Sequence, residues 1–374
     1  MSNRTKAYNR EKNIITFVEL GLTGVYFYVL LAWGGASFVA NLVRGWTAQP
    51  LLQFLLYSLI VGGIFSVVSF PLSVYSEFIL EHKYGLSRQT LWQWLWDKTK
   101  GLLVSSAISL PILLAFYYLL KTTPNWWWLW LGILLALVTV VLAQIAPVLI
   151  FPLFYKFKPL ENQALVNRLQ QLLNRYGFQL EGLYQFDMSS KTVKANAAFT
   201  GMGKTRRIIL GDTLLEKFSE DEIEFVIAHE VGHFVHRHLV KGIAINLASI
   251  FIGLYLVHQA YQYVLLHAGI SDMLQLEYLP YLGLFLFLFS LVVMPLTNGV
   301  SRRFEFQADA FAVRAVSNPQ AAISTLEKLA EINLTDPNPN PLIEFFFHSH
   351  PSISRRVQAI QKIIGGSHNA VATA

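Results

Sequence analysis

The chain has no cysteine among its 374 residues. Disulfides and thiolate metal sites are therefore excluded, while the compartment stays open because such a chain is indifferent to redox poise. Charge is also scarce. Asp, Glu, Lys and Arg make up 14% of the sequence, against about 25% in a typical globular protein. Hydrophobic residues make up 54%, and the mean hydropathy is +0.43. A soluble chain of this length would form two or three domains, but this composition argues against solubility. No internal repeat and no long low-complexity tract is present. A secretory leader is not expected either. The apolar run from Ile14 to Val43 far exceeds an h-region, and no small-residue cleavage site closes it, so it reads as a retained first span.

What the sequence does have is long apolar runs separated by polar stretches. A span needs about 20 mostly apolar residues, and six segments qualify: 14–43, 51–80, 101–120, 126–155, 240–266 and 279–300. The fifth is the most polar and is expected to face other helices. Trp92, Trp94, Trp96, Trp126, Trp127, Trp128 and Trp130 read as interfacial belts. Pro71, Pro111, Pro147 and Pro152 read as kinks or ends of helices. Gln144 and Asn246 read as interhelical hydrogen bonders. Glu19, near the start of the first span, suits either a polar interior or the headgroups.

The net charge of +6 is not a nucleic-acid signature, because the basic residues flank apolar runs and suit topology and anionic lipid instead. Arg4, Lys6, Arg10 and Lys12 precede the first span, and Lys83, Arg88, Lys98 and Lys100 lie in the 81–100 connection. The opposite connections offer only Arg44 and Lys121, and 267–278 has neither Lys nor Arg. Positive-inside then predicts both termini and the 156–239 region on the cytoplasmic side.

The expected organisation is four spans over 1–155, an inserted unit over 156–239, two spans over 240–300 and a cytoplasmic segment over 301–374. Within the insertion, ENQALVNRLQQLLNRYGF is an amphipathic helix with Leu165, Leu169, Leu172 and Leu173 on one stripe. VKANAAFT and TRRIIL read as strands joined by a GMGK turn. Ser219, with Asp221 and Glu222 behind it, starts a helix that runs through HEVGHFVHRHL.

That helix carries His229-Glu230-Val231-Gly232-His233, an H-E-x-x-H motif. Residues four apart on a helix lie one above the other, so both imidazoles aim at one locus and supply half of a tetrahedral zinc site. Glu230 falls beside the open position, as a base for water activated by the metal. Gly232 costs about 1 kcal/mol of helix propensity relative to Ala, which points to close packing. His236 and His238 continue the helix off this face and read as interfacial residues. A catalytic zinc needs a third protein ligand, and Glu305 is the candidate, at the cytoplasmic end of the sixth span. Asp309, one turn on, shares its face and suits an acceptor for the outer N–H of a ligand histidine. Alone, this segment reads as a solvated juxtamembrane charge cluster with Arg302 and Arg303 as lipid anchors. Beside H-E-x-x-H, the ligand reading prevails.

FEFQADAFA, following H-E-x-x-H, resembles the type I CAAX prenyl endopeptidase family of integral-membrane gluzincins. So do Glu81-His82-Lys83-Tyr84-Gly85-Leu86-Ser87-Arg88-Gln89-Thr90, Asn196-Ala197-Ala198 followed by RRIILGDTLL, and His350-Pro351-Ser352 with Arg356 six residues after the histidine. The matches run in the family's order from about 77 to 360. The resemblance implies a mostly α polytopic membrane protein of six to seven spans enclosing a chamber, with a small cytoplasmic α+β zinc metalloprotease unit. It implies cleavage near the C-terminus of prenylated CAAX proteins. It further implies an edge strand over 194–199 that pairs with substrate backbone through Asn196, Ala197 and Ala198, and His350 and Arg356 as donors to the oxyanion or substrate. Six spans, where eukaryotic members have seven, imply a smaller or less closed chamber.

The expected partners are a peptide or protein substrate and the lipid bilayer; the expected cofactor is one Zn2+, although such a donor set accepts other divalent ions. Three functions compete: a CAAX-type endopeptidase, a broad quality-control protease of the heat-shock type, and a non-catalytic membrane receptor or chaperone. The last is disfavoured because Glu230 is intact. The span count favours the first over the second.

Overall fold

The computed structural model describes residues 3–178, 181–200 and 207–372. Among these residues, six helices are long and apolar enough to cross a membrane: Asn3–Ala32, Pro50–Lys83, Leu91–Thr122, Trp127–Leu153, His238–His267 and Leu276–Ala315.

The first of these is α1 (Asn3–Ala32). The 14–43 run does not continue as one helix. Gly34 takes φ of +75°, the left-handed region open to glycine, and the chain restarts as α2 (Gly35–Trp46). At 12 residues, or about 18 Å, α2 is too short to cross a hydrocarbon core of about 30 Å. α3 (Pro50–Ser73) starts on Pro50 and passes through a π-helical turn, Val74–Ile79, into α4 (Leu80–Lys83). Pro71 lies just before that turn, where a missing N–H is accommodated by irregular helix. α5 (Leu91–Thr122) opens on a capping box between Thr90 and Gln93 and contains Pro111. α6 (Trp127–Ile145) runs into a π turn containing Pro147 and a tight turn containing Pro152, which end the span.

The tryptophans are only partly a belt. Trp92, Trp96, Trp126 and Trp130 are exposed, but Trp94 and Trp127 are buried, because residues two apart on a helix point to different faces. Glu19 is exposed on α1. Gln144 and Asn246 are exposed too, and neither makes an interhelical hydrogen bond among the described residues.

After the fourth span come β1 (Phe157–Pro159), α7 (Gln163–Arg175), β2 (Gly182–Phe186), β3 (Ala197–Thr200) and β4 (Arg207–Gly211). The sheet order is β1-β2-β4-β3, parallel only between β2 and β4. β3 and β4 form the expected antiparallel pair, with Ala198 opposite Ile209; the GMGK turn lies outside the described residues. β3 is an edge strand, paired on one side. β1 and β2 were not expected from the sequence.

α8 (Asp212–Lys217) leads to α9 (Glu220–Val235), whose capping box joins Ser219 and Glu222. α9 stops at His236, and Arg237 takes φ of 55°, reversing the chain into α10 (His238–His267). α11 (Leu279–Ala315) has 37 residues, or about 55 Å, far more than a membrane requires. The sixth span and the Glu305 segment are therefore one rod. α12 (Ala321–Ile332), α13 (Pro341–Phe347) and α14 (Ile353–Ala372) complete the chain.

The Leu165, Leu169, Leu172 and Leu173 stripe of α7 packs in one core with Ile208 and Leu210 of β4, Ile227 and Val231 of α9, Ala312 of α11, Leu326 of α12 and Ile360 of α14. The inserted unit and the C-terminal segment thus share a single core, and this core fixes α9 against α11.

Candidate metal centre

α9 and α11 approach closely at Gly232. A Cβ there would lie 3.0 Å from Ala308 Cα and 3.1 Å from its carbonyl oxygen, so glycine permits a backbone contact that alanine would obstruct. This contact sets His229 and His233 of α9 opposite Glu305 of α11.

The three side chains converge. His229 Nε2 lies 3.4 Å from Glu305 Oε2, His233 Nε2 lies 3.3 Å from Glu305 Oε1, and the two Nε2 atoms are 3.1 Å apart. One ligand atom from each residue falls within 4.8 Å of the others, a grouping that can hold a metal ion. The outer side of His229 is held firmly: its Nδ1 is 2.9 Å from Asp309 Oδ1. Asp309 in turn accepts two bonds from the buried Arg356, from Nε at 2.8 Å and Nη2 at 2.7 Å. Burial alone would push the His229 imidazole down, but the Asp309 and Glu305 carboxylates outweigh it and hold its pKa up, at about 9. A locus that favours a proton this strongly is one for a cation, and metal binding there would displace the proton.

The donors fit a zinc-type ion on an independent ground. Glu305 is buried, and its Oε2 has no hydrogen-bond partner. Arg356 Nη1 is 3.5 Å away, and the exposed His350 brings Nδ1 to 3.0 Å without completing a hydrogen bond. A buried carboxylate oxygen left without a donor is costly unless a positive charge completes it. Two imidazoles and a carboxylate are also a set that tetrahedral zinc accepts with a fourth position open.

Glu230 is half-buried and close enough to raise the pKa of Arg356. His350 is exposed and reaches the same pocket from the loop before α14. Arg356 gives Nε and Nη2 to Asp309, and its Nη1 faces Glu305 Oε2 at 3.5 Å. Asn196 is exposed and its carbonyl accepts from Gly211 N at 2.9 Å. The strand that begins at Ala197 lies beside α9. Its approach is fixed by Asn333, whose side chain accepts from Ala195 N at 3.1 Å and donates to Ala195 O at 3.3 Å. Nothing in the local sequence flags Asn333.

His238 departs from its sequence reading. It is buried, not interfacial, and its Nδ1 lies 3.0 Å from His233 Nδ1. A helix continuous through 239 would carry His238 off this face; the left-handed Arg237 ends α9 instead and brings His238 beside the centre.

On the membrane side, a cavity of about 750 Å³ is lined by His233, His238 and Phe304. It shares His238, Asn246 and Phe304 with a second of about 740 Å³. That one shares Leu131, Leu135 and Leu254 with an apolar cavity of about 990 Å³ between the spans. The three cavities thus adjoin one another from between the spans to the metal centre.

A His-His-Glu centre at the head of a membrane chamber, beside a free strand edge, defines an integral-membrane metalloendopeptidase. Residues 159–364 match peptidase family M48, and residues 2–156 match the CAAX prenyl protease N-terminal region, described as five membrane helices. The chain belongs to peptidase family M48. It is 31% identical to the uncharacterized metalloprotease YhfN of Bacillus subtilis, over 95% of this chain and 84% of that one. It is also 31% identical to the CAAX prenyl protease 1 homolog of Arabidopsis thaliana, over 96% and 86%. The crystal structure of Ste24p from S. mikatae superposes with a TM-score of 0.84 at 26% identity, covering 95% of this chain and 88% of that one. The 14–43 run, expected as one span, holds part of α1 and most of the short α2.

Proposed function

We propose that this protein is a zinc-dependent endopeptidase that cleaves near the C-terminus of CAAX-type substrates, with its centre on the cytoplasmic face. The observation that carries the reading is the convergence of His229, His233 and the incompletely satisfied Glu305 at the head of the chamber. Similarity to the CAAX prenyl protease 1 homolog supports the substrate class. Zinc bound by these three side chains would supply Lewis acidity, lowering the pKa of water to about 7 and polarising the scissile carbonyl.

The remaining work falls to the chain's own groups. Glu230 takes a proton from the attacking water and delivers it to the leaving amine. His350, exposed at the pocket's edge, donates to the oxygen on which negative charge develops. Asp309 orients His229, and Arg356 is a positioning residue that holds Asp309. The free edge of β3, with Asn196, Ala197 and Ala198, receives the substrate as an added strand. Such pairing reads backbone and not side chains, and this favours, as a second reading, a broader protease for membrane proteins.

The test is mass spectrometry of a farnesylated CAAX peptide incubated with the protein, with Glu230→Ala and with a chelated sample. Loss of the last three residues by the parent protein alone is expected. An intact peptide alongside cleavage of an unfolded membrane protein would transfer the assignment to the second reading. Absence of both would overturn it.

A further inference from the structure

The two histidines of the centre are held from behind in different ways. His229 leans on a carboxylate. His233 leans on another imidazole, and behind that imidazole stands Gln307, its Oε1 2.9 Å from His238 Nε2. The His238 ring lies flat on Phe304, with centroids 4.1 Å apart and planes 9° from parallel, so its rotation is blocked.

Proton positions along this row are not independent. His233 faces the centre with Nε2, and a nitrogen can bind metal only through its lone pair, so the His233 proton must sit on Nδ1. That proton is then donated to His238 Nδ1, which must accept. The His238 proton consequently sits on Nε2 and is donated to Gln307 Oε1, a carbonyl oxygen that only accepts. If the Gln307 amide turned its N–H inward, each bond in the row would reverse. His238 would donate to His233 Nδ1, and the His233 proton would occupy the metal-facing nitrogen.

We infer that His238 and Gln307 are positioning residues that fix the tautomer of His233, a row with one proton order that admits the metal and one that blocks it. The inference rests on the zinc reading above and deepens it. It also accounts for a buried histidine at the start of a membrane-spanning helix, where an ionisable side chain is costly unless it has a task.

The experiment measures zinc affinity of the full-length protein by competition with a chelating dye, together with thermal unfolding of the zinc-free form. Gln307 is exposed, so its variants will fold. Gln307→Met keeps the size and removes the acceptor, and Gln307→Glu keeps an acceptor. His238→Phe keeps the ring on Phe304 and loses both nitrogens. Zinc binding is expected to weaken about 10-fold or more in Gln307→Met and His238→Phe, in the range for partners behind metal-bound histidines. Gln307→Glu should bind at least as tightly as the parent, and Gln307→Met should unfold at the parent's temperature without zinc. A Gln307→Met variant that binds zinc as tightly as the parent overturns the tautomer assignment alone. A parent that binds no zinc overturns it together with the reading on which it rests.

Discussion

At the scale of single residues, the site is a balance of buried charges, and Asp309 is its hinge. It is 1% exposed, and its carboxylate serves His229 on one side and Arg356 on the other. Asp309→Asn keeps the shape but takes from the buried Arg356 the carboxylate it forks onto, leaving Glu305 at 3.5 Å as its nearest anion, a loss of up to about 3–5 kcal/mol where such pairs have been broken. It also removes the anionic partner of His229, which should weaken metal affinity by roughly 10–100-fold. Arg356→Lys retains the charge but not the fork that meets both carboxylate oxygens, and should fall between the parent and Asp309→Asn. Thermal unfolding with and without zinc checks both; if Asp309→Asn unfolds at the parent's temperature, the pair is not structural. At this scale the sequence is very legible where chemistry follows from spacing. His229, Glu230 and His233 are fixed by the period of one helix, and Asp309 by one turn from Glu305. His238 and Asn333 were not legible, because their roles depend on a backbone reversal at Arg237 and on a contact across 138 positions.

At the scale of elements, the decisive contact is α9 against α11. Gly232→Ala should gain about 1 kcal/mol of helix propensity but force a methyl against the backbone of Ala308, and overpacking of this kind costs about 1–3 kcal/mol. The neighbour it meets is main chain and cannot swing aside, so the net effect should be destabilising, with metal affinity reduced as the helices part. Gly242 in α10 is the control: nothing lies within 4 Å of its added Cβ, so Gly242→Ala should be neutral or stabilising by up to about 1 kcal/mol. Melting temperatures of the two variants should therefore move in opposite directions or differ clearly. Equal values would show that the close approach at Gly232 is not needed. Long apolar runs made the spans legible, since length alone identifies them. The break at Gly34 was not, because the run stays apolar on both sides of it. Nor were β1 and β2, which are separated by α7 and lack the Gly-rich turn that marks β3 and β4 as a pair.

At the scale of the whole molecule, one property of the sequence turns orientation into a direct measurement. Lys and Arg residues crowd the end of the bundle that carries the metal centre, while the 267–278 connection at the other end has none. The positive-inside rule then predicts the centre on the cytoplasmic side. Because the chain has no cysteine, any single introduced cysteine reports without background. Glu161→Cys, in the unit beside the centre, and Ser271→Cys, between the last two spans, are both at exposed positions. A membrane-impermeant maleimide should label Glu161→Cys in inside-out vesicles only, and Ser271→Cys in right-side-out vesicles only. The reverse pattern would put the centre outside the cytoplasm and exclude substrates delivered from the cytoplasmic face, the CAAX class among them, even if the zinc chemistry stood. Labelling of both from one side would mean an even number of crossings between them, zero included. Only α10 lies between the unit and Ser271, so that result would require this helix not to span at all. The expected outcome therefore ties together three features read separately: the charge bias along the chain, the reversal at Arg237 that launches α10, and the chamber's opening toward the centre.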